Sequence, residues 1–218
     1  MTKTKIHPVP IENQKSKVVN SPVSSRIVTV PNLLTLFRMA LIPVFVSLLF
    51  YSKFGWALGV FVLAGITDGL DGLLARRLNQ GSQLGAILDP IADKLLLVTS
   101  FVVLSMPAII PPPLPRHFPV PFWVTAAVFS RDIFIIVGAA AINIVTGFRR
   151  FRPSWLGKIN TTIQIIAIAA VLIAASFPKL SGYLPTVYTI VFSFAVISGV
   201  HYIFFASRLL NEERRQSE

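Results

Sequence analysis

The sequence predicts an all-α integral membrane protein with six transmembrane helices and both termini in the cytoplasm. Three observations lead there. The 218 residues are 54% hydrophobic and only 13% charged, with a mean hydropathy of +0.71. Soluble domains carry roughly 25% charged residues. Apolar runs recur along the chain at lengths near the roughly 20 residues that cross a bilayer. The basic residues fall mainly on one side of the resulting topology, which fixes its orientation.

The elements follow in order. Residues 1–28 form a hydrophilic, flexible cytoplasmic arm without the compact apolar segment of a signal peptide. "VPNLLTLFR" (Val30–Arg38) opens the first helix, where Pro31 suits a first turn because its missing N–H has no helical acceptor there. This run, Asn32–Tyr51, carries one charge, Arg38. The second run, Gly55–Thr67, reaches membrane length only by continuing through Asp68–Ala75, and the third, ending at Ile110, only by starting near Gly85. Pro107–Pro121 holds seven prolines and reads as an outer loop, since no continuous helix tolerates them. Phe122–Gly147, Ile159–Phe177 and Leu184–Ala206 are the remaining spans, with Thr146–Lys158 a basic cytoplasmic loop between the first two. Asn211–Glu218 is a polar, frayed tail. The spans therefore define one domain, 29–210, flanked by an arm at 1–28 and a tail at 211–218. Trp56, Trp123 and Trp155 near span ends read as interface anchors, and His201 and Tyr202 as packing residues.

A net charge of +11 raises the question of nucleic acid, but its distribution answers it. The arms and inner loops collect most of the Lys and Arg. The opposite face holds Lys53, Arg116 and Lys179, and Arg131 lies inside a span. This is the positive-inside pattern, so no nucleic-acid partner is expected. The absence of cysteine excludes disulfide and thiol chemistry.

The acids are the anomaly. Four of nine, Glu12, Glu212, Glu213 and Glu218, lie in the terminal arms. The other five, Asp68, Asp71, Asp89, Asp93 and Asp132, lie in or beside apolar spans, where ionisable groups are costly and mark function. Asp68 and Asp71 are three residues apart, Asp89 and Asp93 four, so each pair occupies one helix face. The two helices meet across a short turn, Asn79–Gln83, which brings the pairs to the same depth near the cytoplasmic surface. Carboxylates so placed repel one another, and hard divalent cations with oxygen ligands would neutralise them. Gly65, Gly69, Gly72, Gly81 and Gly85 allow a bulky ligand close to the backbone. Pro90 after Asp89 suggests a helix start there, with Asp89 as its N-cap and the helix N-terminus favouring phosphate. With Arg76 added, the stretch points to a metal-assisted, phosphate-containing substrate. A transporter is the rival class, and it would string acids along a path through the membrane.

Written out, Asp68 to Asp93 reads D-x-x-D-G-x-x-A-R-x8-G-x3-D-x3-D, its fixed positions being Asp68, Asp71, Gly72, Ala75, Arg76, Gly85, Asp89 and Asp93. This resembles the signature of the CDP-alcohol phosphatidyltransferase family, and six spans opened by "PNLLTLFR" match that family's organisation. The resemblance implies a metal-dependent enzyme of phospholipid biosynthesis. It would transfer the phosphatidyl group of CDP-diacylglycerol to an alcohol, releasing CMP. Two Mg²⁺ or Mn²⁺ ions would be held by Asp68, Asp71 and Asp89, with Asp93 contributing to the metal site and acting as general base. Asn32, Thr35, Gly72, Arg76, Ser82 and Gly85 would contact the CDP-lipid. The resemblance also implies a homodimer, multi-pass in the cell (inner) membrane, with its site open to the cytoplasmic leaflet.

The acceptor is read elsewhere. "SRDIFIIVGAA" (Ser130–Ala140) and "PSWLGKINTTIQ" (Pro153–Gln164) resemble the branch of the family that holds phosphatidylglycerophosphate synthases and CMP-forming cardiolipin synthases. Arg131 and Lys158 are its acceptor-site candidates. The former group usually has Arg-Glu, then a second Arg eight residues after the first. Here Arg131-Asp132 is followed by Ala139. The expected acceptor is therefore phosphatidylglycerol, as in cardiolipin synthesis, with glycerol 3-phosphate as the alternative. Arg149, Arg150, Arg152 and Lys158 could supply the missing cation for the latter.

Overall fold

A computed structural model of the chain describes residues 30–78, 83–109, 117–146 and 155–217. The N-terminal arm and residues 147–154 of the basic loop lie outside these described residues. Among them, all regular structure is helical. Six long helices follow one another: α1 (Val30–Phe50), α2 (Phe54–Leu78), α3 (Gln83–Leu104), α4 (Phe122–Thr146), α5 (Trp155–Ser176) and α6 (Leu184–Ser217). Short 3₁₀ turns occupy Pro107–Ile109 and Pro178–Tyr183. Among the described residues, three segments are long and apolar enough by themselves to cross a membrane: Asn32–Phe50, Trp155–Ser176 and Pro178–Phe204. In α2 the described residues hold a shorter apolar run, Phe54–Leu70.

Side-chain contacts fix how the helices run. Phe45 and Phe61 pack with tilted rings at 6.0 Å between centroids, and Arg38 meets Asp68 at 2.6 Å, so α1 and α2 are antiparallel. Gly55, at the start of α2, lies beside Ser176, at the end of α5, so those two are antiparallel as well. Thr125 reaches the Phe101 carbonyl and Lys94 reaches Asp132, which sets α4 antiparallel to α3. The edge-to-face pair Trp123–Phe192 and the Arg131–Ser198 hydrogen bonds run α4 parallel to α6. The outcome is an up-and-down bundle in which consecutive helices alternate in direction.

The turn between α1 and α2 is a compact Schellman closure. Lys53 N–H donates to Leu48 O at 2.8 Å and Ser52 N–H to Leu49 O at 2.9 Å, with Ser52 in the left-handed region at φ 55°. The apolar core fills the part of the bundle beyond the acids, around Phe45, Phe61, Leu97, Phe101, Val124, Ile168 and Leu172. Outside, large apolar side chains such as Phe122, Ile136, Phe204 and Val137 are exposed. A soluble protein does not present so continuous an apolar surface, and a hydrocarbon surrounding satisfies it. Trp56 and Trp155 are among the most exposed side chains, at 73% and 79%.

The structure corrects three sequence expectations. α3 begins at Gln83, so Pro90 lies within the helix and Asp89 is not an N-cap. Pro90 removes one backbone hydrogen bond, to the Ala86 carbonyl, without ending the helix. The helix continues through it, as α1 does through Pro43. α5 begins at Trp155, which makes Trp155–Lys158 helical rather than part of the loop. Basic side chains mark membrane sidedness, not helix ends. α6 continues to Ser217, so the polar tail is an extension of the last helix and not a frayed end.

α4 packs tightly against α6 at Gly138, where a Cβ would stand 2.7 Å from Tyr202 Cε1. Gly138→Ala is therefore expected to destabilise the bundle by about 1–2 kcal/mol despite the better helix propensity of alanine. Adding Tyr202→Leu should recover most of the loss. Thermal unfolding in detergent measures both.

Candidate active site

The site grows from a polar stripe on α1. Asn32, Thr35 and Arg38 recur every three residues, share one helix face and are all buried, Arg38 to 1% exposure. A cation cannot occupy that position in an apolar bundle without a counter-charge. Asp68 of α2 supplies it through the 2.6 Å contact with Arg38 Nη1. Three residues earlier on α1, the Thr35 hydroxyl donates a hydrogen bond to Asp89 Oδ1 of α3. One face of α1 thus holds the first acid of each pair.

The Asp68 side chain remains 47% exposed beyond its ion pair, and Asp89 and Asp93 are half-buried. Asp93 lies within electrostatic reach of Asp68, Arg38, Lys94 and Asp132. The arrangement offers hard carboxylate oxygens from two helices toward one open side. The chemistry of that donor set fits Mg²⁺ or Mn²⁺. The described residues alone do not assemble a group of three possible ligands around one point. Asp71, Gly72 and Arg76 lie on α2 and Gly85 on α3, but their side chains fall outside the described set, as does Ser82 altogether.

A second network lies one helix over. Lys94, next to Asp93 in sequence, donates to Asp132 Oδ2 at 2.8 Å. Asp132 Oδ1 pairs with Arg131 Nη1 at 2.6 Å, and Arg131 Nε and Nη2 reach the Ser198 hydroxyl at 3.3 and 3.0 Å. Arg131 is thereby held inside the bundle, 6% exposed, between α4 and α6. Lys158, the other acceptor candidate, is exposed on the first turn of α5.

Sequence reasoning did not assign Arg38, Lys94, Ser198, Asn160 or Gln164. The first had a signal: three polar residues at one-turn spacing in an otherwise apolar helix form an inward stripe. Asn160 and Gln164 also had one, being one turn apart on α5. Both are fully buried, and neither amide has a hydrogen-bond partner. Each unsatisfied polar atom in such a place costs about 1–3 kcal/mol.

A family model described as CDP-alcohol phosphatidyltransferase matches residues 28–201, which takes in α1 to α5 and about half of α6. The chain belongs to the CDP-alcohol phosphatidyltransferase family. Within that family it is 38% identical over 165 residues to a human cardiolipin synthase (CMP-forming), an alignment covering 68% of this chain and 52% of the human protein. The rat protein of the same name is equally similar, with 51% of its length covered. A Salmonella typhimurium CDP-diacylglycerol–glycerol-3-phosphate 3-phosphatidyltransferase is 40% identical over 147 residues, covering 64% of this chain and 74% of the relative. The chain thus spans about half the length of the two mammalian relatives.

The Lys94–Asp132–Arg131–Ser198 network gives a stability prediction. Asp132→Asn strips the buried Arg131 and the neighbouring Lys94 of their shared anion and is expected to cost about 3–5 kcal/mol. Arg131→Met should cost clearly less, because the Lys94–Asp132 pair that it leaves is balanced. Thermal unfolding of the two variants decides this.

Proposed function

We propose that the chain is a metal-dependent phosphatidyltransferase of phospholipid synthesis, moving the phosphatidyl group of CDP-diacylglycerol onto a glycerol-type acceptor. The observation that carries the reading is the acid group itself. Asp68 and Asp89 are each held by α1, and Asp93 stands half-buried beside them. These are the positions of the family's motif, in a chain that belongs to that family.

Asp93 is the general base. It takes the proton of the acceptor hydroxyl as that oxygen forms its bond to the lipid-side phosphorus. The bond from that phosphorus to the bridging oxygen of CMP breaks, and CMP leaves with the electron pair. Arg38 and Thr35 fix the carboxylates of Asp68 and Asp89 so that their remaining oxygens point to the common site. Mg²⁺ or Mn²⁺ ions, held by Asp68, Asp71, Asp89 and Asp93, would screen the pyrophosphate and stabilise the leaving phosphate. Asn32, Thr35, Gly72, Arg76, Ser82 and Gly85 form the nucleotide side.

Phosphatidylglycerol is the acceptor this reading favours, with glycerol 3-phosphate the alternative; relatives named for both reactions match the chain. The commitment of Arg131 to Asp132 and Ser198 supports an acceptor without a free phosphomonoester. An ion path is disfavoured, because the membrane-embedded acids gather at one level rather than along a route. The six helices cross the cell membrane with both termini and the site on the cytoplasmic side, and the active unit is a homodimer.

Purified protein supplied with CDP-diacylglycerol and Mg²⁺ should release CMP when either acceptor is added, and mass spectrometry of the lipid product names the acceptor. Asp93→Asn is expected to lower turnover by about 10²–10⁴-fold, and EDTA to abolish it. Full turnover by Asp93→Asn would remove the general base, and EDTA insensitivity would remove the metals.

A further inference from the structure

Asn160 and Gln164 sit where apolar residues would suffice for packing. They continue the buried stripe of α5 formed by Ala167, Ile168, Val171 and Leu172. Both are at most 1% exposed, and all four of their polar side-chain atoms lack partners.

The register of α5 against α2 shows what they stand beside. From the contact of Gly55 with Ser176, equal steps along the two antiparallel helices set Gln164 opposite Thr67 and Asn160 opposite Asp71. The amide pair is therefore level with the acidic half of α2. The Thr67 hydroxyl donates to the Ala64 carbonyl at 2.8 Å and bonds neither amide.

Each amide offers N–H donors and a carbonyl acceptor. A hydroxyl needs one of each. Residues four apart on a helix lie about 5–6 Å apart at Cβ, a separation across which two amides can grip one small polyol. The pair is uncharged and so suits hydroxyls rather than phosphate.

We propose that Asn160 and Gln164 bind the vicinal diol of the acceptor, holding its secondary hydroxyl while the adjacent primary hydroxyl faces Asp93. This rests on the glycerol-type acceptor proposed above. Glycerol 3-phosphate and the free glycerol of phosphatidylglycerol share that diol, so the pair selects polyol acceptors in either case.

The test compares each acceptor with its analogue lacking the secondary hydroxyl, 1,3-propanediol phosphate and phosphatidyl-1,3-propanediol. CMP release is followed for the wild type, Gln164→Met and Asn160→Leu. The wild type should prefer the hydroxylated acceptor by about tenfold or more in kcat/KM. Both variants should lose that preference through a raised acceptor KM, with the CDP-diacylglycerol KM within about twofold and an unchanged or higher Tm. The acceptor for which the preference appears identifies the source of the diol. A wild type that ignores the secondary hydroxyl overturns the proposal without need of a variant. So do variants that keep the preference, or that shift the donor KM equally. A wild type that transfers to neither acceptor defeats the acceptor reading, and this proposal with it.

Discussion

The Arg38–Asp68 ion pair is the constraint around which the bundle is arranged. Arg38 is almost completely buried in a helix otherwise fit to span a membrane. A lone guanidinium there would cost far more than a helix of this length can recover. Asp68 makes the position tenable and in return receives a fixed orientation. Since Asp68 opens the acid motif, the same contact that stabilises α1 also aims the site.

Around that pair the polar residues form a layer instead of a scatter. Thr35 with Asp89, Lys94 with Asp132, Arg131 with Ser198, and the unpartnered Asn160 and Gln164 come from different helices but share a level. Beyond it the bundle is closed by Phe45, Phe61, Leu97 and Phe101. The division is physical: one end of the bundle is stabilised by packing, the other by charge pairing. Side chains in the polar end can be exposed to a charged substrate without loosening the core.

Much of this was legible in the chain. Six helices followed from hydropathy and proline placement, because burial in hydrocarbon leaves a strong compositional mark. The family followed from the fixed positions between Asp68 and Asp93. What composition could not show is which groups find each other. Arg38 looked like an isolated charge because its partner is thirty residues away on another helix. Pro90 looked like a boundary because local propensity does not show that α3 continues through it. The Arg131–Ser198 contact could not be read from the chain, because Ser198 lies on α6. Long-range pairing is a tertiary property, and it is where the sequence reading stopped.

The Schellman turn at Ser52–Lys53 acts as an indexing stop between α1 and α2. It leaves no slack: α1 ends at Phe50 and α2 starts at Phe54, locked by two backbone hydrogen bonds. One extra residue there would rotate α2 by about 100° relative to α1 and carry Asp68 off the face that meets Arg38. A three-residue turn at the far end of the hairpin thus sets the angular phase of the acids.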